Sequence, residues 1–288
     1  MTILEKIDFE PGSGKYEAAV ILLNNQMDVD CSDKMKELFM NATVHFLKHS
    51  VINDIMQVQP FPDESSILFY LRTISDNDNK LSIAVLEDLV TVDTHENDNV
   101  FYPEKLQDLD TVIDYNNLIV ESFVELENKM INDVVEQSTK VELSKNTIDD
   151  GSILIHIISQ GNNIARQTRR GAGNIILMSS DTFKSLENIT MDGYNPIKLN
   201  DDGFYYFTNA KIKIHDELGD NILIGYNNIS NMFKVNTDGG GFFVPYRLFD
   251  NIRLILNAIT VEPEIHYSSK YATRFYDADK YYTTIQLV

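Results

Sequence analysis

"ARQTRRGAGNIILMSS", residues 165–180, places three arginines within five positions and then two glycines around one alanine, directly before an apolar run. Three readings compete for it: a phosphate cradle, a nucleic-acid contact, or a turn from helix to strand in a structural protein. Upstream, Ile153, Leu154, Ile157, Ile158, Ile164 and Ala165 recur at helical spacing. With Asp149 and Asp150 before them and Gly171 after, they predict a helix from about Ser152 to Arg170. At about 100° per residue, Arg166, Arg169 and Arg170 gather on the side opposite the apolar residues. Cationic side chains in a last helical turn complement the helix dipole by about 0.3–1 kcal/mol each, and a single arginine would suffice. The pattern leaves two possibilities open: capping alone, or capping together with a salt-bridged contact to another chain.

Whole-chain numbers narrow the choice. A chain of 288 residues with 43% apolar content can bury one large core or two smaller ones. Its 44 acidic against 24 basic residues give a formal net charge of -20, which repels DNA and anionic membranes at long range unless positive charges cluster. Generic nucleic-acid binding is therefore disfavoured. Cys31 is the one cysteine and cannot form an intrachain disulfide, and the N-terminal stretch lacks a secretory pattern, so cytoplasmic synthesis is expected. No apolar run approaches the roughly 20 residues that cross a bilayer, so no membrane partner is expected.

Catalytic motifs fail one by one. "GAGNII" (171–176) has Ile176 where a dinucleotide fingerprint needs its third glycine, and the order is helix then strand where that site needs strand then helix. "PGSGKY" (11–16) offers Gly14 and Lys15, but Phe9 replaces the first glycine of a phosphate loop and Tyr16 the hydroxyl that would hold magnesium. "HFLKH" (45–49) puts His45 and His49 one turn apart, with Phe46 where zinc proteolysis needs a glutamate. The remaining histidines are scattered and no nucleophile elbow is present. No catalytic residue, cofactor or metal is expected.

Elsewhere, Ser32 is a candidate N-cap for a helix to about His49. "SILFYLRTI" (66–74) and "LSIAVLEDLVTV" (81–92) read as a hairpin whose tip is Ser75 to Lys80. A long two-stranded arm is marginal alone and must rest on something else. From Pro103 an apolar periodicity continues to Val135, predicting a spine helix on the order of 50 Å long. Alternating runs at 204–215, 221–226 and 239–249, with extended segments at 262–276 and 280–288, make the last third a sheet.

The order of these segments resembles that of the major capsid proteins of T-even-type tailed phages, whose subunits have the capsid fold named after Hong Kong phage 97. "NDIMQVQPFPDESSILFYLRT" (53–73) is similar to the family's V-Q-P segment leading into an apolar strand that ends in arginine. "FYPEKLQDLDTVIDYNNLIVESFVELENKMINDVV" (101–135) is similar to its spine helix. "NNIARQTRRGAGNIILMSS" (162–180) is the most specific block, since the family carries T-R-R-G, a small residue, Gly, Asn and an apolar strand. "AKIKIHDELGDNILIGYNN" (210–228), "DGGGFFVPYRLF" (238–249) and "EPEIHYSSKYATRFY" (262–276) follow in the family's order. Longer relatives carry a propeptide and often an insertion in the hairpin; neither is expected here, and the closing block is altered to "SKYATRFY".

The resemblance implies an α+β fold of the Hong Kong 97 type, with an extended hairpin loop, a long spine helix, a peripheral domain and an axial domain. Its segments would be an N-terminal arm and first helix (1–64), the hairpin loop (65–92), the peripheral domain with the spine helix (93–173), the axial domain (174–249), and a return to the peripheral domain (250–288). It implies a structural, non-enzymatic head subunit that forms hexamers and pentamers of an icosahedral shell around double-stranded DNA. Implied partners are copies of itself, scaffold, portal and decoration proteins, and packaged DNA without sequence-specific contacts. The shell would be assembled in the host cytoplasm. Candidate subunit-interface residues are Arg72, Asp76, Asp78 and Lys80 in the hairpin, and Arg166, Arg169 and Arg170 at the helix end. Alternatives are a vertex subunit, a compartment shell that packages enzymes, and a nucleotide-binding protein built on 11–16 or 171–176.

Overall fold

The computed structural model describes residues 9–12, 14–26, 33–75, 81–96, 115–145, 149–191, 193–227, 240–256 and 263–288. The expected N-cap Ser32, the helical stretch expected over 103–114 and the hairpin tip 76–80 lie outside them. In chain order the elements are α1 (Gly14–Gln26), α2 (Asp33–His49), α3 (Ile52–Ile55), β1 (Gln57–Val58), β2 (Ser65–Ser75), β3 (Leu81–Thr91), β4 (Asp93–Glu96), α4 (Tyr115–Gln137) and β5 (Thr139–Leu143). Then come α5 (Asp150–Thr168), β6 (Ile175–Met178), α6 (Ser180–Leu186), β7 (Ile197–Leu199), β8 (Tyr205–Phe207), β9 (Ala210–Ile214), β10 (Asn221–Gly225), β11 (Gly240–Leu256), β12 (Pro263–Tyr276), α7 (Ala278–Tyr281) and β13 (Tyr282–Leu287).

Helix α4 is the described part of the spine, about 35 Å at 1.5 Å per residue. It buries Phe123, Leu126, Met130, Ile131 and Val134, one face of a 3.6-residue period. That face meets α2 and the long ribbon β11–β12, with Phe46 edge-on to both Phe123 and Phe243. Its buried carboxylate is used: Glu127 Oε1 accepts from the Ser50 hydroxyl at 2.6 Å and the Val51 N–H at 2.7 Å, fixing the turn from α2 into α3. The ribbon is a four-stranded sheet in the order β1-β11-β12-β4. Pro245 cannot donate to a ladder, and register shifts follow it between Pro245 and Arg247 and on to Arg253.

A seven-stranded sheet, β5-β13-β10-β6-β9-β8-β7, holds the second core. The run "IILM" of β6 is buried at every position because both its faces are covered. Ile175 and Leu177 point into the first core, and Ile176 and Met178 into the second, beneath α5. In this sheet β13 lies between β5 and β10, so a strand from a segment expected in the peripheral domain pairs with one from the axial segment, and the expected boundary at 249/250 falls inside β11. The cause is that strand pairing here is largely non-local. β5 pairs with β13 and β1 with β11, both in parallel.

The hairpin β2–β3 forms as expected, with continuous antiparallel register from Ser65↔Thr91 to Ser75↔Leu81. Its inner face rests on the ribbon through Leu68 and Val90, packed with Phe242, Val244 and Ala272. Tyr70 stacks on Tyr276 at 3.7 Å, and the Tyr276 hydroxyl donates to Asp88. At the hairpin's foot His95 stacks on Tyr271 at 4.0 Å and accepts from the Lys129 ammonium of α4 at 3.1 Å. Burial, followed by that ammonium, holds the His95 imidazole below its ordinary pKa.

Candidate functional site

The block 165–175 is a joint between helix and sheets. Helix α5 starts on Asp149, whose carboxylate accepts from the Ser152 N–H at 2.7 Å. It ends on Arg169, which takes the left-handed conformation at φ 59° while its N–H donates to Ala165 O. Sequence reasoning assigned that end to Gly171; the residue in the left-handed position is an arginine two places earlier. Gly171 and Gly173 are needed for closeness instead. A Cβ on Gly171 would lie 2.8 Å from the Tyr226 ring, and one on Gly173 2.6 Å from Ile224 Cγ2. Gly173 N–H also donates to Gly161 O at 3.2 Å, so the loop lies directly on α5 where that helix has no side chain.

Beyond the glycines, Asn174 grips Asn227 reciprocally. Its Nδ2 donates to Asn227 O at 2.5 Å, and its Oδ1 accepts from Asn227 N–H at 3.0 Å. The buried Asn227 in turn donates from Nδ2 to Asp54 O at 3.2 Å and Met56 O at 3.3 Å. The same short segment receives two further ties. Tyr282 donates its hydroxyl to Ile55 O at 2.6 Å, and Lys213 pairs with Asp54 at 3.1 Å. Residues 54–56, where α3 becomes β1, are thereby clamped to the seven-stranded sheet. Neither Asn227 nor Tyr282 was marked by sequence reasoning, because the partners are distant carbonyls; the asparagine closing R-R-G-A-G-N was the one local signal.

The interface residues expected from sequence are dispersed. Arg166 and Arg169 are exposed at the end of α5 and Arg170 is half-buried beside them. Arg72 stands in β2 opposite Ala84. Asp76, Asp78 and Lys80 lie outside the described residues. One expectation is corrected: Ile158, placed with the core face of α5, is 37% exposed, on the outward side with Ile155 and the arginines.

The left-handed Arg169 permits a clean test of capping. A non-glycine residue in that region costs about 1–2 kcal/mol relative to glycine, so Arg169→Gly is expected to raise subunit stability by about 1 kcal/mol. Chemical denaturation checks this; a destabilised variant would mean that the arginine side chain does more for the helix end than its backbone costs.

Asn174 and Asn227 pair with backbone and with each other, and among the described residues no cluster of three His, Cys, Asp or Glu is placed to hold a metal. No helix described is long and apolar enough to cross a membrane.

No curated protein matches the chain in sequence. The fold is similar to that of a virus-like particle from Pyrococcus furiosus, at a TM-score of 0.52 and 13% identity, covering 88% of this chain and 100% of that one. It is also similar to a phage-related protein from Bordetella bronchiseptica RB50, at a TM-score of 0.53 and 10% identity, covering 85% and 96% of the two chains. These likenesses carry the fold alone, an α+β capsid fold of the Hong Kong 97 type. Identity comes from sequence: the family model described as "Major capsid protein Gp23" matches residues 108–286, well over half of the chain and including the whole joint from α5 to Tyr282. That match favours a phage shell over a compartment that packages enzymes. The joint, the hairpin and the spine are the framework of a shell subunit, and the chain belongs to the Gp23 family of tailed-phage major capsid proteins.

Proposed function

We propose that the subunit builds the hexamers and pentamers of an icosahedral head enclosing double-stranded DNA, and that its hairpin overlaps a neighbouring copy. One observation carries this: the outer face of the hairpin presents large apolar side chains that no described residue covers. Ile67 and Leu89 stand directly opposite each other at 47% and 70% exposed, and Val85 further along is 58% exposed. Single exposed apolar residues are common, but a directly opposed exposed pair with a third on the same face, interrupted only by Glu87, supports a contact surface.

The long α4 and the ribbon would form the peripheral unit and much of the seven-stranded sheet the axial one around the capsomer centre. Scaffold, portal and decoration proteins are the partners that such a head requires, with assembly in the host cytoplasm and no enzymatic role for the subunit. A net charge of -20 suits a wall that encloses DNA without binding its phosphates tightly.

Light scattering and electron microscopy of the purified protein, with and without a scaffold protein, test the proposal. Capsomers, tubes or shells are expected, since stable contacts bury about 1,200–2,000 Å². A strict monomer at high concentration in both conditions would overturn it.

A further inference from the structure

Helix α5 has an outward stripe made of two different materials. Ile155 and Ile158 lie along its first half, and Arg166 and Arg169 at its end. Among the described residues no ion pair is made to either of these two arginines, in a chain with 44 acidic residues. DNA would use the arginines and leave the isoleucines in water. A protein surface with an apolar centre and an acidic flank would use both.

The same chain carries such a surface. At the outer edge of the seven-stranded sheet, Leu199 of β7 stands opposite Tyr205 of β8, at 60% and 39% exposed. The turn between these strands holds Asp201 and Asp202, both exposed. Asp202 is already oriented, accepting from the Tyr206 hydroxyl at 2.7 Å and from the Phe204 N–H at 3.1 Å, and that hydroxyl keeps its carboxyl below the usual range. Spacings are compatible. Ile158 to Arg166 is about 12 Å along a helix, while Asp201 and Asp202 sit in the tight turn that directly follows Leu199, closed by the Gly203 N–H on Asn200 O at 3.0 Å, a shorter spacing that a long arginine side chain reaches by folding back.

We infer that the α5 stripe of one subunit seats the β7–β8 edge of a second copy, Ile155 and Ile158 against Leu199 and Tyr205, with Arg166 and Arg169 against Asp201 and Asp202. The inference rests on the shell-subunit reading and names its contact. Because two different patches meet, the contact is heterologous, and such contacts repeat around a ring when the rotation closes. It also assigns the arginines of the 165–180 block a use beyond the helix end.

Two experiments on the full chain test it. In a Cys31→Ser background, Ile158→Cys with Leu199→Cys should give disulfide-linked ladders from oxidised particles on non-reducing gels, and neither single cysteine should. Separately, Arg166→Asp with Arg169→Asp should lower particle yield at least tenfold, and adding Asp201→Arg with Asp202→Arg should restore most of it. Thermal melts identify any variant that fails to fold, and the cysteine pair, which keeps all four charges, decides in that case. Particles unaffected by the arginine changes, or particles that form without ladders, would overturn this contact while leaving the shell subunit intact. A ladder from Ile158→Cys with Leu89→Cys in place of Leu199→Cys would move the partner surface to the hairpin and overturn it likewise. Failure of the unmodified chain to assemble at all would remove the shell reading and this contact together.

Discussion

Tyr282→Phe is expected to destabilise the subunit by about 2–5 kcal/mol, although it removes a single oxygen. The ring stays buried and packed, so the change isolates two hydrogen bonds: the hydroxyl donates to Ile55 O at 2.6 Å and accepts from Gly241 N–H at 3.0 Å. Both partners belong to other elements, one at the end of α3 and one at the start of β11. Leaving a buried backbone group unsatisfied costs about 1–3 kcal/mol. Asn227→Ala removes the neighbouring donor to Asp54 and Met56 and is expected to cost a similar amount. Because both residues hold the same three-residue segment, the double variant should cost less than the sum of the singles, the sign of a shared clamp. Denaturant titration of the four proteins measures this. Strict additivity would mean that the two ties act independently, and an unchanged midpoint for Tyr282→Phe would show that solvent replaces the hydroxyl.

The second large effect falls on assembly and spares the fold. Ile67→Lys combined with Leu89→Glu converts the exposed cross-strand pair into an opposite-charge pair, which an antiparallel strand pair tolerates or favours. The isolated subunit should melt as the parent does. In the assembled state those positions would otherwise bury two large apolar side chains, about 1.5–3 kcal/mol each, at every copy of the contact. Particle formation should therefore fail, as read by sedimentation and microscopy. Normal particles from this variant would return the outer face of the hairpin to solvent and remove the observation on which the overlapping arm rests.

What the sequence disclosed follows the range of each interaction. The hairpin was legible because β-branched and aromatic runs flank a polar tip, and its register is local. Helix α5 was legible from its isoleucines and from Asp149. The parallel pairings of β5 with β13 and β1 with β11 were not, since no local pattern names a partner so far along the chain. β6 gave no alternation because both faces are buried. The outward turn of Ile158 was misassigned because apolar periodicity reports what a helix can bury, and this helix has more apolar surface than its own subunit covers. At the helix end, glycine was the natural expectation for a left-handed residue, and Arg169 occupies it instead. The arginines of the block were legible as a cluster, while Asn227 and Tyr282, which hold the two sheets together, were visible only once the chain was folded.

The placement of β13 sets an order of events during synthesis. Residues 282–287 fill the slot between β5 and β10, so until they leave the ribosome β10 has an open edge and β5 has no strand to pair with, while the other members of the sheet are already available. Closing that slot joins residues separated by most of the length from α4 onward, a contact with a high loop-entropy cost and a correspondingly slow rate. Nascent subunits crowded on one message would expose complementary strand edges to one another before they could expose finished interfaces. For a protein that associates with itself, the late arrival of β13 relative to β5 and β10 thus separates the time of wrong pairing from the time of right pairing.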